Sequence, residues 1–267
     1  MISVITGASS GIGAAAAAAL SREGHRVVLV GRDERRLREV AGGLPGAKGE
    51  VLTCDFTSLD DVRKLASQVR ERYERVGVLV NNAGVMSPTR RTTPDGHELM
   101  AQVNHLAPFL LTRALADHVD RIVTTSSRAG RAGRLDVTDL SRERRRWNGW
   151  LQYGDTKQAN ALFTVALAAR GLAATCFHPG VIRTGFASGA LLMRLMLLVP
   201  GYAKPPEYGA RRLTYLATHE DGLRHAGRYF DGERPAEVPS TMSDPDLAER
   251  LWRASADAVD GTRASTA

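Results

Sequence analysis

The sequence predicts an α/β domain built on a doubly wound, seven-stranded parallel sheet with helices on both faces. Short apolar runs alternate with helix-forming segments from the first residue, the rhythm that a parallel sheet with crossover helices requires. The strand-like runs are apolar throughout rather than alternating, as strands covered on both sides are. At 267 residues, with 43% hydrophobic and 24% charged, the chain is long enough for one large α/β domain around a real core.

Taken in order, Ile2 to Ile5 is the first apolar run, Ala14 to Arg22 a strong helix former and Arg26 to Val30 a β-branched run. One βαβ unit is closed by residue 30. Arg35 to Val40 has a helical period, and Glu50 to Cys54 is extended. Val62 to Tyr73 is amphipathic, with Val62, Leu65, Ala66 and Val69 on one face. Val76 to Val80 is the fourth strand, Leu106 to Leu115 a helix and Arg121 to Thr125 the fifth strand. Gln158 to Ala169 is a helix rich in Ala and Leu, and Leu172 to Phe177 the sixth strand. Gly227 to Phe230 supplies a seventh, and Pro245 to Val259 a closing helix with Leu247, Leu251 and Trp252 inward. Two stretches, 129–150 and 185–206, break the rhythm, and insertions of that length tend to lie over a site. The domain is expected to span 1–260, with 185–206 as a substrate lid and 261–267 as a frayed tail.

Charge and cysteine usage exclude several classes. Lys plus Arg exceed Asp plus Glu by 36 to 29, a net +7, but four of the 36 are lysines and the arginines are spread along the chain. The densest run, Arg142 to Arg146, is broken by Glu143 and reads as a solvated face rather than a nucleic-acid patch. Cys54 and Cys176 lie in apolar runs and fit reduced thiols in a reducing, cytoplasmic compartment. The start has no basic region of a secretory signal, and Ala190 to Val199, interrupted by Arg194, is too short to span a membrane.

The chemistry begins at Thr6-Gly7-Ala8-Ser9-Ser10-Gly11-Ile12-Gly13, between the first strand and the first helix. Glycines let the backbone approach a diphosphate, and helix amides plus dipole favour its charge. The spacing differs from G-x-G-x-x-G, so the strand before and the helix after carry the reading. About 20 residues on, a dinucleotide fold reads the adenosine ribose, an acid suiting a 2′-hydroxyl and an arginine a 2′-phosphate. Here Gly31 takes the strand-closing position, with Arg32 next and Asp33 after it. That favours NADP(H), with NAD(H) possible.

Tyr153-Gly154-Asp155-Thr156-Lys157 spaces a phenol and an ammonium four residues apart at the start of a helix, on one face. A nearby ammonium favours the phenolate, so the tyrosine is expected to exchange protons nearer neutrality. Upstream, Ser126-Ser127 closes the fifth strand and Asn81-Asn82-Ala83-Gly84 caps the fourth. In this order, the glycine turn, N-N-A-G, the serine pair and Y-x-x-x-K resemble the short-chain dehydrogenase/reductase family over essentially the whole chain. The strings at 104–112, 157–164, 178–181, 227–230 and 249–252 look like its retinol dehydrogenase and WW-domain oxidoreductase branch.

The resemblance implies a single-domain Rossmann fold and a set of roles. Tyr153 would be general acid or base, Lys157 would tune it and hold the nicotinamide ribose, and Ser127 would hydrogen-bond the substrate oxygen. Asn104 would support a proton-relay water. Gly7, Ser9, Ser10, Gly11, Ile12 and Gly13 would cradle the diphosphate, Asp55 and Phe56 would meet the adenine, and Asn82, Ala83 and Gly84 would line the cofactor. Pro179, Gly180, Val181, Ile182 and Thr184 would hold the carboxamide end. No metal is implied, homodimers or homotetramers are common in the family, and the substrate would be a small apolar ketone, aldehyde or alcohol. Thr156 departs from the serine usual there.

Residues 186–200 are too apolar for one helical stripe, which leaves a core or subunit-contact helix, an adaptable lid over an apolar pocket, or a weak membrane-surface contact. Trp147 and Trp150 precede Tyr153, and one of them is expected beside the substrate unless both merely cover the loop. His105 and His178 read as structural. The rival classes are a cofactor-sensing regulator, which would tolerate loss of the Tyr-Lys pair, and a structural module, in which both motifs would be incidental.

Overall fold

The computed structural model describes residues 1–46, 49–182 and 203–261. The first half runs β1 (Ile2–Thr6), α1 (Gly11–Arg22), β2 (Arg26–Gly31), α2 (Glu34–Gly42), β3 (Glu50–Thr53), α3 (Leu59–Arg72) and β4 (Val76–Asn81). Six consecutive alanines, Ala14 to Ala19, make α1 a strong helix former. Asp33 caps α2 by accepting from the Arg36 amide at 3.0 Å, and Ser58 caps α3 through the Asp61 amide at 3.2 Å. Acids in the first turn of α3 and arginines in its last complement the helix dipole.

The second half runs α4 (Leu99–Ala101), a π-helical turn (Gln102–Leu106), α5 (Ala107–Ala114), β5 (Val119–Thr125), α6 (Gly149–Ala168) and β6 (Ala174–His178). Then come α7 (Pro206–Thr218), α8 (Asp221–Arg224), β7 (Tyr229–Asp231), β8 (Arg234–Pro235) and α9 (Pro245–Gly261). The single helix expected over 106–115 is thus the end of a longer one carrying a π-turn. α6 starts well before Gln158 because Asn148 caps it, accepting from Trp150 N at 3.0 Å and Leu151 N at 3.1 Å.

Among the described residues the sheet has eight strands in the order β3-β2-β1-β4-β5-β6-β7-β8, which corrects the expected seven. The first seven pair in parallel, while β8 pairs antiparallel with β7. The turn at Gly232, with φ +76°, folds the chain straight back, and a two-residue strand carries no periodicity to detect. One apolar layer packs α1, α2 and α7 on one face of the sheet, and another packs α3, α5 and part of α6 on the opposite face. Outside this second layer α9 lies on α6, with Ala248 and Leu251 against Ala159, Leu162 and Ala166. Trp252 meets Phe109 and Phe163 at ring centroid distances of 4.9 and 6.1 Å. No helix among the described residues is long and apolar enough to cross a membrane.

The segment between β5 and α6 lies against α6. A polar stripe of α6 at three-residue spacing holds it: Gln152 donates to Leu140 O at 3.0 Å, Asp155 accepts from Arg134 N at 2.7 Å, and Gln158 accepts from Leu135 N at 3.2 Å. The expected solvated face at 142–146 is corrected here. Arg142 is 5% exposed and sits at φ +46°, the left-handed region that costs a non-glycine residue about 1–2 kcal/mol. Its Nε donates to Asp155 Oδ2 at 2.9 Å, and Nη2 lies 2.8 Å from the same oxygen. Arg145 bonds Asp139 at 3.0 Å. Glu143, Arg144 and Arg146 remain exposed. Periodicity could not show this, because the arginines' partners lie at Asp139 and across the loop on α6.

Phe163 is 1% exposed, so Phe163→Ala opens a cavity under α9 and is expected to remove about 3–5 kcal/mol of stability, read by urea unfolding. Arg142→Met leaves the Asp155 carboxylate buried without its nearest counter-charge and is expected to cost a similar 3–5 kcal/mol or so near neutrality. Burial already raises the Asp155 pKa, and removing the arginine raises it further. A raised carboxyl pKa makes stability fall as pH rises through the window above the unfolded value. The deficit is therefore expected to shrink between pH 7 and pH 5; an equal deficit at both counts against the assignment.

Candidate active site

The strand order reverses between β1 and β4, and the crevice at the carboxyl ends of these strands is where open α/β sheets bind ligands. Gly7 and Gly11 take φ of +68° and +57°. A Cβ on Gly7 would sit 2.8 Å from Ala83 Cα, and one on Gly13 2.3 Å from Gly7 O, so the turn closes on itself and on the N-N-A-G bend. Thr6, which opens the glycine motif without an assigned role, joins the two. Its hydroxyl donates to Val80 O at 3.1 Å and accepts from Asn82 N at 2.9 Å and Ala83 N at 3.0 Å. Asn82 Nδ2 returns a bond to Thr6 O at 3.1 Å. Asn82 thus braces the turn, with Gly84 following it.

Ser10 is the N-cap of α1 but makes no side-chain cap bond, so the first amides of the helix face the crevice without that acceptor. Ser9 is partly exposed, Ser10 exposed, and Ile12 lies beneath Gly209 of α7. Backbone donors at a helix start suit a diphosphate. Arg32 is exposed at the end of β2. Asp33 is committed elsewhere, capping α2 and lying 3.3 Å from Arg36 Nε. Asp55 turns its carboxylate onto Thr57 N and Oγ1 at 2.9 and 2.8 Å, and Phe56 beside it is buried.

The four residues expected to carry the chemistry converge at the adjoining edge of β5. Lys157 Nζ, buried, donates to Thr125 O at 3.1 Å and lies 5.5 Å from the centroid of the Tyr153 ring. Ser127 lies beside the Tyr153 phenol, close enough to lower its pKa, and its hydroxyl accepts from Ala129 N at 3.2 Å. Asn104 lies in the π-turn, a feature frequent at functional sites. Its Oδ1 accepts from Val85 N at 2.7 Å, and its Nδ2 donates to Thr156 Oγ1 at 3.2 Å. Thr156 donates in turn to Tyr153 O at 2.8 Å, so the threonine supplies the hydroxyl that links Asn104 to α6.

The electrostatics differ from the expected pairing. Burial pushes the Tyr153 phenol up to about 12, with the neighbouring Ser127 pulling the other way. Burial brings the Lys157 ammonium down to about 8. The ammonium lies over the ring rather than at the hydroxyl, so desolvation outweighs the expected lowering. At neutral pH the site holds a protonated phenol beside an ammonium, an arrangement that can donate a proton to an oxygen.

Beyond β6, Pro179 abuts Gly209, Gly180 takes φ +96°, and the Val181 carbonyl accepts from Lys204 N at 2.8 Å. Ile182 bridges Lys204. Thr184 and most of the expected lid lie outside the described residues. His105 Nε2 pairs with Ser255 Oγ at 2.8 Å, and burial lowers its pKa to about 4. His178 Nδ1 lies 3.4 Å from Arg128 N, with its pKa likewise lowered to about 4. Both are neutral structural groups.

A family model described as short chain dehydrogenase matches residues 1–192. The chain is 40% identical over 266 residues to a Streptomyces sp. (strain C5) protein named "Putative daunorubicin C-13 ketoreductase DnrU", covering 97% of this chain and 92% of that one. It is 36% identical over 280 residues to retinol dehydrogenase 13 of Homo sapiens, covering 95% and 82%. A solved chain from Mycobacterium Paratuberculosis superposes with a TM-score of 0.80 at 32% identity, covering 97% and 93%. An Escherichia coli CFT073 chain solved in complex with NADPH gives 0.69 at 27% identity, covering 87% and 96%. With the glycine turn, the bend that braces it and the Ser127, Tyr153 and Lys157 cluster in one crevice, this chain belongs to the short-chain dehydrogenase/reductase family, in its retinol dehydrogenase-like branch.

Proposed function

We propose that the protein transfers a hydride between NADP(H) and an apolar ketone or aldehyde, or the corresponding alcohol, with Tyr153 as the general acid or base. The observation that carries this reading is the phenol of Tyr153 set between Ser127, which lowers its pKa, and Lys157, whose ammonium lies against its ring. When bound, the nicotinamide supplies or accepts the hydride. Ser127 fixes a substrate oxygen beside the phenol, and Tyr153 gives that oxygen its proton. Lys157, held by Thr125 O, keeps positive charge close to the developing oxyanion. Asn104, through Thr156, holds the second turn of α6 in register with the π-turn.

A phenol held protonated at neutrality suits carbonyl reduction. The Streptomyces relative is named as a ketoreductase, and retinol dehydrogenases are named for an apolar alcohol. For the cofactor, the open α1 amides and the glycine cradle fit a diphosphate. Arg32, exposed while Asp33 is occupied in the α2 cap, supplies charge for a 2′-phosphate. The NADPH carried by the Escherichia coli relative supports the same choice.

Tyr153→Phe is expected to lower reductase turnover by a factor on the order of 100 to 10,000 while leaving NADPH affinity within twofold, since it deletes one hydroxyl outside the dinucleotide cradle. Following NADPH absorbance with a ketone, together with a binding titration, checks both halves; retained turnover refutes the role. Arg32→Ala is expected to weaken NADPH about tenfold or more and NADH little, as loss of a charged hydrogen bond worth about 1.5–3 kcal/mol implies. Equal losses for the two cofactors would contradict the assignment.

A further inference from the structure

The two tryptophans before Tyr153 have separate fates. Trp147 is turned inward, its indole nitrogen buried beside Glu98. Trp150 is 56% exposed, although an indole is among the costliest side chains to leave in water. Its exposure does not come from a loose segment. Asn148 Oδ1 accepts from the Trp150 amide at 3.0 Å, and Gly149 is pressed so closely on Ser87 that an added Cβ would lie 2.7 Å from its carbonyl oxygen. The indole meets the Tyr153 ring edge-on, with centroids 6.5 Å apart and planes at 74°. An aromatic face is therefore carried next to the reacting phenol on a fixed backbone.

The rest of the exposed apolar surface is distributed in the same sense. Among the described residues the large exposed apolar side chains are Met1, Trp150, Val181, Tyr208 and Leu223. Val181 follows the carboxyl end of β6, and the Tyr208 ring lies against Gly180 in the same loop. Met1 and Leu223 belong to the other edge, Met1 before β1 and Leu223 next to Gly222, which abuts Arg121 in the first half of β5.

Resting on the reading of the site as a carbonyl reductase, we propose that Trp150 is a substrate-contacting specificity residue that selects planar, aromatic ketones and aldehydes by stacking beside Tyr153. A flat conjugated carbonyl gains the ring–ring term of an aromatic pair in addition to buried area, whereas an alkyl carbonyl gains area alone.

The test compares wild type, Trp150→Ala and Trp150→Phe in two measurements. The first is kcat/KM with NADPH for 2-acetonaphthone against 2-dodecanone, ketones of equal carbon number. The second is calorimetric titration of 1-(2-naphthyl)ethanol into the NADPH-loaded protein, a pair that cannot react. Trp150→Ala is expected to lower the aromatic-to-alkyl preference about tenfold and to weaken the naphthyl alcohol by a similar factor. Trp150→Phe is expected to restore most of both. A preference and an affinity unchanged within twofold in Trp150→Ala overturn the proposal, as does a wild type that fails to bind the naphthyl alcohol. A wild type that binds the alcohol, loses it in Trp150→Ala and reduces neither ketone keeps the Trp150 contact and overturns the reductase reading, because the titration needs no turnover.

Discussion

Three hydrogen bonds between the end of β5 and the third turn of α6 set the geometry on which the site depends. Ser126 Oγ donates to Lys157 O at 2.7 Å, Lys157 Nζ donates to Thr125 O at 3.1 Å, and Asn160 Nδ2 donates to the same carbonyl at 3.2 Å. Most of α6 is buried, and a buried polar side chain without a partner is costly. The helix therefore has little freedom to rotate or slide: a shift that relaxed one of these bonds would strand the ammonium or the amide. Gln152, Asp155 and Gln158 apply the same constraint from the side facing the loop. Fixed from both directions, α6 presents Tyr153 to the crevice with no separate device to aim it.

This rigidity explains the electrostatics. Lys157 is stripped of water because it is held against the sheet edge, and so its pKa falls rather than that of the phenol. Tyr153 is partly exposed, yet its hydroxyl is recessed enough for burial to dominate. A phenol that stays protonated at neutral pH follows from placement in the fold, with Ser127 beside it drawing the pKa the other way.

The sequence disclosed those parts of the molecule whose signal is local. The βαβ rhythm, the glycine turn, Asn82, Ser127, Tyr153 and Lys157 each announce themselves within a few residues; the strands that end at the glycine turn, Asn82 and Ser127 bring these to one edge, and α6 brings the other two. Other features depend on partners far along the chain. Thr6 looks like an ordinary strand residue until Asn82 and Ala83 are placed beside it, and Arg142 looks solvated until Asp155 is. Asp33 read as a competitor for the ribose, yet its local role as a helix cap was written in the run of arginines and glutamates that follows it. The π-turn at Asn104 left no trace in hydrophobic period, because an inserted residue in a fully buried helix changes hydrogen bonding without changing apolarity.

The antiparallel β8 bears on how the molecule behaves in a crowded solution. A parallel sheet that stopped at β7 would offer a row of unpaired amides and carbonyls to any passing strand. The chain instead folds its own ribbon over that border and finishes it at Pro235, which has no amide hydrogen to give. At the opposite border β3 is four residues long, and Glu50 is ion-paired to Arg26 on the neighbouring strand. Both margins are thus poor templates for intermolecular sheet growth, which protects against aggregation a protein that leaves the Trp150 indole exposed beside its phenol.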